Sequence, residues 1–239
     1  MEAKWLAAVQ HPNIISIRGV SSEAPHGRKF FIVLDQLHEI LTTRLQTWKK
    51  QKPNGLKKMF HSGREKERDT WLERMKAAYG IASALAYLHS KNVMHRDLKP
   101  DDIGFNAKGD VTLFDFGLAK EFDPSKADKN GCYNMTPFTG SMRFMAPEVA
   151  LAKPCNETTD VYSYGLLLYQ ILALEPPFYG LTVKSFPKLI HEKGARPVVD
   201  PKWPVELSSL MKRCWSPTIR DRPSMTEVAN TVSKEICLE

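Results

Sequence analysis

An α+β fold, with a small group of strands early and mainly helices afterwards, is what this sequence predicts. Three segments carry the prediction. "FFIVL" at residues 30–34 is an apolar run of strand length. "DTWLERMKAAYGIASALAYLHS" (Asp69 to Ser90) sets Leu72, Met75, Tyr79, Ala82, Leu85, Ala86 and His89 three and four residues apart, the spacing of an amphipathic helix. "TTDVYSYGLLLYQILAL" (Thr158 to Leu174) is apolar on nearly every side, as in a helix buried all round.

Each element has its local reasons. The first helix carries acidic residues near its start, where the helix dipole favours them. "IGF" (Ile103 to Phe105) and "VTLF" (Val111 to Phe114) flank "NAKGD", a turn signal centred on Lys108-Gly109, and predict an antiparallel hairpin. In the second helix Thr158 or Thr159 is placed to cap, Asp160 lies in the first turn, and Pro176 and Pro177 stop it. Beyond, helical segments alternate with proline-marked turns to Glu239. No internal repeat or linker is visible.

With 239 residues the chain can bury a sizeable core, and 42% hydrophobic against 26% charged residues is the balance of a globular protein. No apolar run is long enough for a bilayer and no signal sequence is present, so the expectation is no membrane and a cytoplasmic or nuclear location. Cys132, Cys155, Cys214 and Cys237 are widely spaced with no CxxC pair, which argues against a zinc site or a disulfide framework. Much of the +7 net charge sits in residues 49–68, where eight Lys or Arg face two Glu. Pro53, Gly55 and Gly63 interrupt that stretch, and it reads as a solvated insertion loop, with a docking surface as the alternative. It lacks the interleaved aromatics of a single-strand binder, so no nucleic-acid partner is expected.

Folded about Lys108-Gly109, the hairpin pairs residues whose numbers sum to 217, setting Asp102 opposite Asp115 with Asp97 five residues upstream. Three carboxylates then converge at one end. Like charges so placed need a counter-charge. Lys99 offsets part, and a hard divalent cation with oxygen ligands would offset the rest: Mg2+ takes one or two carboxylates plus substrate phosphates. A solvated acidic hairpin end is the competing reading.

"HRDLKPDD" (His95 to Asp102), then "DFG" (Asp115, Phe116, Gly117), then "APE" (Ala146 to Glu148) resembles the eukaryotic protein kinases. "DVYSYG", "PPF" and "CWSPTIRDRPSM" extend the likeness over essentially the whole chain, and "LKP" marks the Ser/Thr type. "GSMRFMAPE" and "CW…RPSM" are similar to the tyrosine-kinase-like group. The resemblance implies a kinase-like fold, with residues 1–37 as an incomplete small N-lobe and 38–239 as a mainly helical C-lobe. It also implies ATP and Mg2+ as cofactors, protein substrates and an upstream kinase. The oligomeric state stays open.

By the same resemblance, Asp97 is the catalytic-loop base, Lys99 lies near the transferred phosphate, and Asp115 and Asp102 are metal ligands. Leu34 is the gatekeeper, with Asp35 to Leu37 along the adenine edge, and Glu2 is the partner of an ATP-anchoring lysine. Arg96 implies an activation loop ordered by phosphorylation; Tyr133, Thr136, Thr139 and Ser141 are candidates, with Thr136 or Thr139 favoured and Ser141 read as a substrate contact. Glu148 and Arg222 match a buried ion pair, Asp160 an anchor of the catalytic loop, and Leu6, Ile17, His95 and Phe116 a hydrophobic stack. His95 is thus a packed residue rather than a base.

Three departures stand out. No GxGxxG and no strand lysine occur in these 239 residues, the family's catalytic-loop Asn is replaced by Asp102, and Gly104 thins the adenine floor. The expectation is a Ser/Thr kinase domain that by itself is weak or inactive, with a pseudokinase or kinase-derived binding module as the alternative.

Overall fold

The computed structural model describes residues 2–22, 27, 29–52 and 61–237, with the side chains of 2–4, 61–64 and 183 outside that description. Helix α1 (Glu2–Ala8) leads into a segment stitched to the central hairpin. There the Asn13 amide donates to Val111 O (2.9 Å), its carbonyl accepts from Leu113 N–H (2.8 Å), and Ile15 N–H donates to Leu113 O (3.0 Å). Strands β1 (Ile17–Val20) and β2 (Ile32–Leu34) pair antiparallel. A second sheet runs β3 (Glu39–Ile40), β5 (Ile103–Phe105), β6 (Val111–Leu113), and a third joins β4 (Val93–Met94) to β7 (Lys120–Glu121).

Helices make the rest: α2 (Leu41–Gln51), α3 (His61–Ser90), α4 (Pro147–Ala150), α5 (Thr158–Ala173), α6 (Val205–Cys214) and α7 (Met225–Cys237). The core centres on α5, whose apolar circumference needs partners on every side; α3 and α6 pack on it. Tyr164 Oη donates to Ala78 O at 3.0 Å, and Arg74 donates to Ile171 O and Leu172 O, satisfying carbonyls that the end of α5 leaves free. Each fully buried Ile or Leu of α3, such as Ile81, Leu85 and Leu88, contributes roughly 1.5–3 kcal/mol of burial. Among the described residues no helix is long and apolar enough to cross a membrane.

Four sequence expectations change. The helix expected from Asp69 begins at His61, so residues 61–68 of the basic segment are helical and Gly63 does not interrupt them. Lys, Arg and Glu are good helix formers, and one glycine costs only about 1 kcal/mol. Residues 53–60, the centre of that segment, lie outside the described residues. Tyr79, placed on the apolar stripe, is 38% exposed, because the buried face of α3 runs through Ala78 and Ile81 instead. Helix α5 is entered through Asn156, whose Oδ1 accepts from the Thr158 N–H and hydroxyl, so neither Thr158 nor Thr159 caps it.

The fourth is the hairpin register. Pairs sum to 216: Ile103 with Leu113, Gly104 with Thr112, Phe105 with Val111. Asn106 sets this by accepting at Oδ1 from the N–H groups of Lys108 and Asp110 while its own N–H donates to Asp110 O. The loop is therefore centred on Lys108, and Asp102 faces Phe114, whose N–H donates to Asp102 O at 2.9 Å.

Candidate active site

Strand β4 delivers residues 95–97 to the site, and α5 holds them there. Asp160, in the first turn of α5 and 1% exposed, accepts from His95 N–H and Arg96 N–H, each at 2.8 Å, and pairs with His89 Nε2 at 2.9 Å. Burial alone would raise the Asp160 carboxyl, but hydrogen bonds from His89 and the loop outweigh it and hold it below the ordinary range. Arg96 sits at φ +72°, a left-handed conformation that a non-glycine residue keeps only when its surroundings fix it. His95 is fully buried and edge-on to Phe116, ring centres 5.4 Å apart. Desolvation pushes its pKa down, so the ring is neutral at pH 7.

Asp97 has both carboxylate oxygens engaged. Oδ1 accepts from Ser141 N–H at 2.6 Å and Oδ2 from Lys99 Nζ at 2.5 Å. Gly140 permits this approach: its φ is +100°, and a Cβ there would lie 2.5 Å from Arg96 O. The same Lys99 ammonium stands 3.1 Å from Asp102 Oδ2 as an ion pair, and no other group donates to that buried oxygen among the described residues.

The two carboxyls diverge as a result. Burial raises Asp97, but Lys99 and Ser141 more than compensate and its pKa falls. Asp102, more desolvated and sharing only Lys99, is pushed up to about 7, with Asp97 and Asp115 adding repulsion. Lys99 loses some charge stability to burial and regains more from the two acids, so its pKa rises.

Asp115 reaches the site by a route the sequence did not indicate. Strand β6 ends at Leu113, and Asp115 takes φ +63°. It is exposed and accepts from Gly117 N–H at 3.1 Å, while Phe116 turns inward and is fully buried. Leu6 is buried and Ile17 packs on the same core. Asp97 belongs with Ser141 and Lys99, so the converging trio is a pair plus a pre-engaged third carboxylate. Among the described residues no three acidic, His or Cys side chains form a ready-made cage.

Asp102 and Asp115 nonetheless suit Mg2+: both offer oxygen alone, one oxygen is orphaned, and Mg2+ needs only one or two protein carboxylates when phosphates complete its shell. A cation bound there would displace any proton on Asp102 to solvent.

The loop after residue 130 meets Arg96 from the other side. Arg96 Nη2 donates to Thr136 O at 2.9 Å and to Thr139 Oγ1 at 3.0 Å. Both threonines line a groove of about 580 Å³ with Arg96, Trp5 and Lys120. Tyr133 is tied by backbone bonds to Cys155. Farther on, Glu148 and Arg222 form a buried two-pronged pair at 2.6 and 2.9 Å.

On the opposite wall, Leu34 is half-buried against the core, and Asp35 donates its N–H to Ser16 O (3.2 Å) while its carboxylate pairs with Arg18. Glu2 lies in α1, but its side chain is outside the described residues. Gly104 does not leave a thin floor. Leu37 lies over it, with Cδ1 2.6 Å from where a Cβ on residue 104 would stand. Sequence reasoning missed this contact, which joins residues 67 positions apart and has no spacing signature.

The chain matches the family model described as a protein kinase domain over residues 1–232. It is 26% identical over 238 residues to a probable serine/threonine-protein kinase of Dictyostelium discoideum, covering 99% of this chain and 13% of that protein. It is 32% identical over 244 residues to the serine/threonine-protein kinase PknD of Protochlamydia amoebophila (95% of this chain, 24% of that one). With the serine/threonine-protein kinase Nek10 of Homo sapiens it shares 34% over 176 residues (73% and 14%). It thus spans a quarter or less of these three relatives' lengths.

Proposed function

The chain belongs to the protein kinase family, of the serine/threonine type, and on that premise we propose that it transfers the γ-phosphoryl group of ATP to serine or threonine hydroxyls of protein substrates. One observation supports this most: a single ammonium, Lys99, bridges Asp97 and Asp102, with Asp115 close enough to perturb the latter. Asp97 orients the incoming hydroxyl and takes its proton. Its depressed pKa makes it a weak base, suited to late proton acceptance once the phosphorus–oxygen bond is forming. Lys99 neutralises charge gathering on the transferred group and keeps the two acids apart. Asp102 and Asp115 are the residues that would hold Mg2+, which when bound supplies charge neutralisation on the phosphates.

In this reading Leu34, Asp35 and Leu37 border the adenine, and residues 1–37 and 38–239 are the two lobes. Thr139 is the phosphosite, because its hydroxyl already lies on Arg96, whereas Thr136 presents only its carbonyl. A phosphate on Thr139 gives that guanidinium a strong partner.

A second reading, a kinase-derived binding module without transfer, is favoured by the donors already on Asp97, Ser141 N–H on one oxygen and Lys99 on the other, which leave a substrate hydroxyl only the remaining lone pairs. Incubation with Mg2+, labelled ATP and a generic Ser/Thr peptide separates the two. Incorporation is expected to be weak but to fall at least a hundredfold in Asp97→Ala. Equal incorporation by parent and variant would leave the binding module standing.

A further inference from the structure

We propose that the groove between α2, α3 and the turn of the β5–β6 hairpin is a docking site for an acidic segment of a partner protein, one that carries an aromatic or aliphatic side chain among its carboxylates. The groove holds about 500 Å³ and lies at the turn end of the hairpin. The length of β5, roughly 10 Å, separates it from Asp102, so it is distinct from the phosphotransfer site. Its floor is rigid. Trp48 and Phe105 are buried with ring centres 6.3 Å apart and edge-on, and Asn106 fixes the turn through the N–H groups of Lys108 and Asp110. A partner therefore meets a preformed surface and loses little affinity to ordering it.

The charged groups along the walls identify the occupant. Both acids are already served by neutral donors: Glu73 Oε2 accepts from the Trp48 indole at 2.9 Å, and Asp110 Oδ2 from the Asn106 side-chain amide at 3.1 Å. Arg44 is paired with Glu39 and lies over the Phe105 ring, 4.4 Å from its centre. Lys76 on α3 and Lys108 on the turn differ. Both are exposed, and neither ammonium has a hydrogen-bond or ion-pair partner among the described residues. One turn along α3, the Tyr79 hydroxyl is likewise unpartnered and its ring is 38% exposed. Carboxylates answer the two ammoniums, and a neighbouring apolar side chain covers the Tyr79 ring and the lysine stems. Glu73 and Asp110, set among these cations, discriminate against a uniform polyanion such as nucleic acid, whose closely spaced phosphates cannot avoid them.

The probe is a short fluorescein-labelled peptide alternating glutamate with leucine and phenylalanine, titrated with the full chain at low salt and read by anisotropy. No ATP is present, so the outcome is independent of phosphotransfer. The parent is expected to bind, more weakly as salt rises, and Kd is expected to increase at least about fivefold in Lys76→Glu with Lys108→Glu. The pair Lys193→Glu with Lys202→Glu changes net charge equally at exposed lysines without ion-pair partners among the described residues, and should stay within about twofold of the parent. Tyr79→Ser should also weaken binding. Every side chain exchanged is exposed, so each variant keeps the fold. No binding by the parent, equal losses in the two lysine pairs, or equally tight capture of an oligonucleotide of matched charge would each overturn the assignment.

Discussion

Replacing Arg222 by alanine is expected to destabilise the protein by about 3–5 kcal/mol, because it strands the Glu148 carboxylate in a site almost without solvent. Four hydrogen bonds disappear together: two to Glu148, one to Ser216 O and one to Thr158 O. The guanidinium also lies 5.2 Å from the Tyr162 ring centre. At this chain length each kcal/mol moves the melting midpoint by roughly 2–4 °C, so a fall of roughly 6–20 °C should appear in a thermal melt. The pair is not expected to be indispensable. Glu148→Leu with Arg222→Met should recover most of the loss, since removing both charges also removes their desolvation cost. Recovery should stop short of complete, because the carbonyls of Ser216 and Thr158 lose their donor. A single variant that melts within 2 °C of the parent would contradict the burial of this pair.

Asp160→Asn is expected to have the second-largest effect, and a larger one on phosphotransfer than on stability. The parent carboxylate accepts with both oxygens; asparagine keeps one acceptor and turns an N–H2 toward a backbone N–H. One stranded buried donor costs roughly 1–3 kcal/mol, measurable by urea unfolding. The functional cost follows from Arg96, whose left-handed backbone then loses its anchor, so that Asp97 and the Thr139 contact both drift. Incorporation of label should fall to the Asp97→Ala level. Unchanged transfer together with lowered stability would reduce Asp160 to a packing residue.

Much of the architecture is legible in the sequence because it depends on periodicity. The circumference of α5 and the turn chemistry of 106–110 are local, so the helix and the hairpin are foreseen. The register is not, because it depends on which backbone groups Asn106 captures, and one residue of shift moved Asp102 from facing Asp115 to facing Phe114. The start of α3 was missed for a related reason: a charged stretch with glycine reads as loop until the packed helix after it is seen to propagate backward.

At the site, Asp97, Lys99, Asp102 and Asp115 are nameable from motif spacing, but how they share charge is a three-dimensional matter. Only the geometry shows Ser141 N–H on Asp97 and the deeper burial of Asp102, and these separate the two aspartates into one depressed and one raised carboxyl. Leu37 and Gly104 lie 67 positions apart, and no local pattern links them.

Titration of ATP in magnesium and in EDTA tests most directly whether the raised carboxyl and its exposed partner exist to hold a metal–phosphate complex. Affinity is predicted to be at least tenfold tighter with magnesium, and that gain to vanish when Asp102 and Asp115 are both changed to alanine. Equal affinity in EDTA, or a magnesium gain that survives the double change, would contradict the assignment.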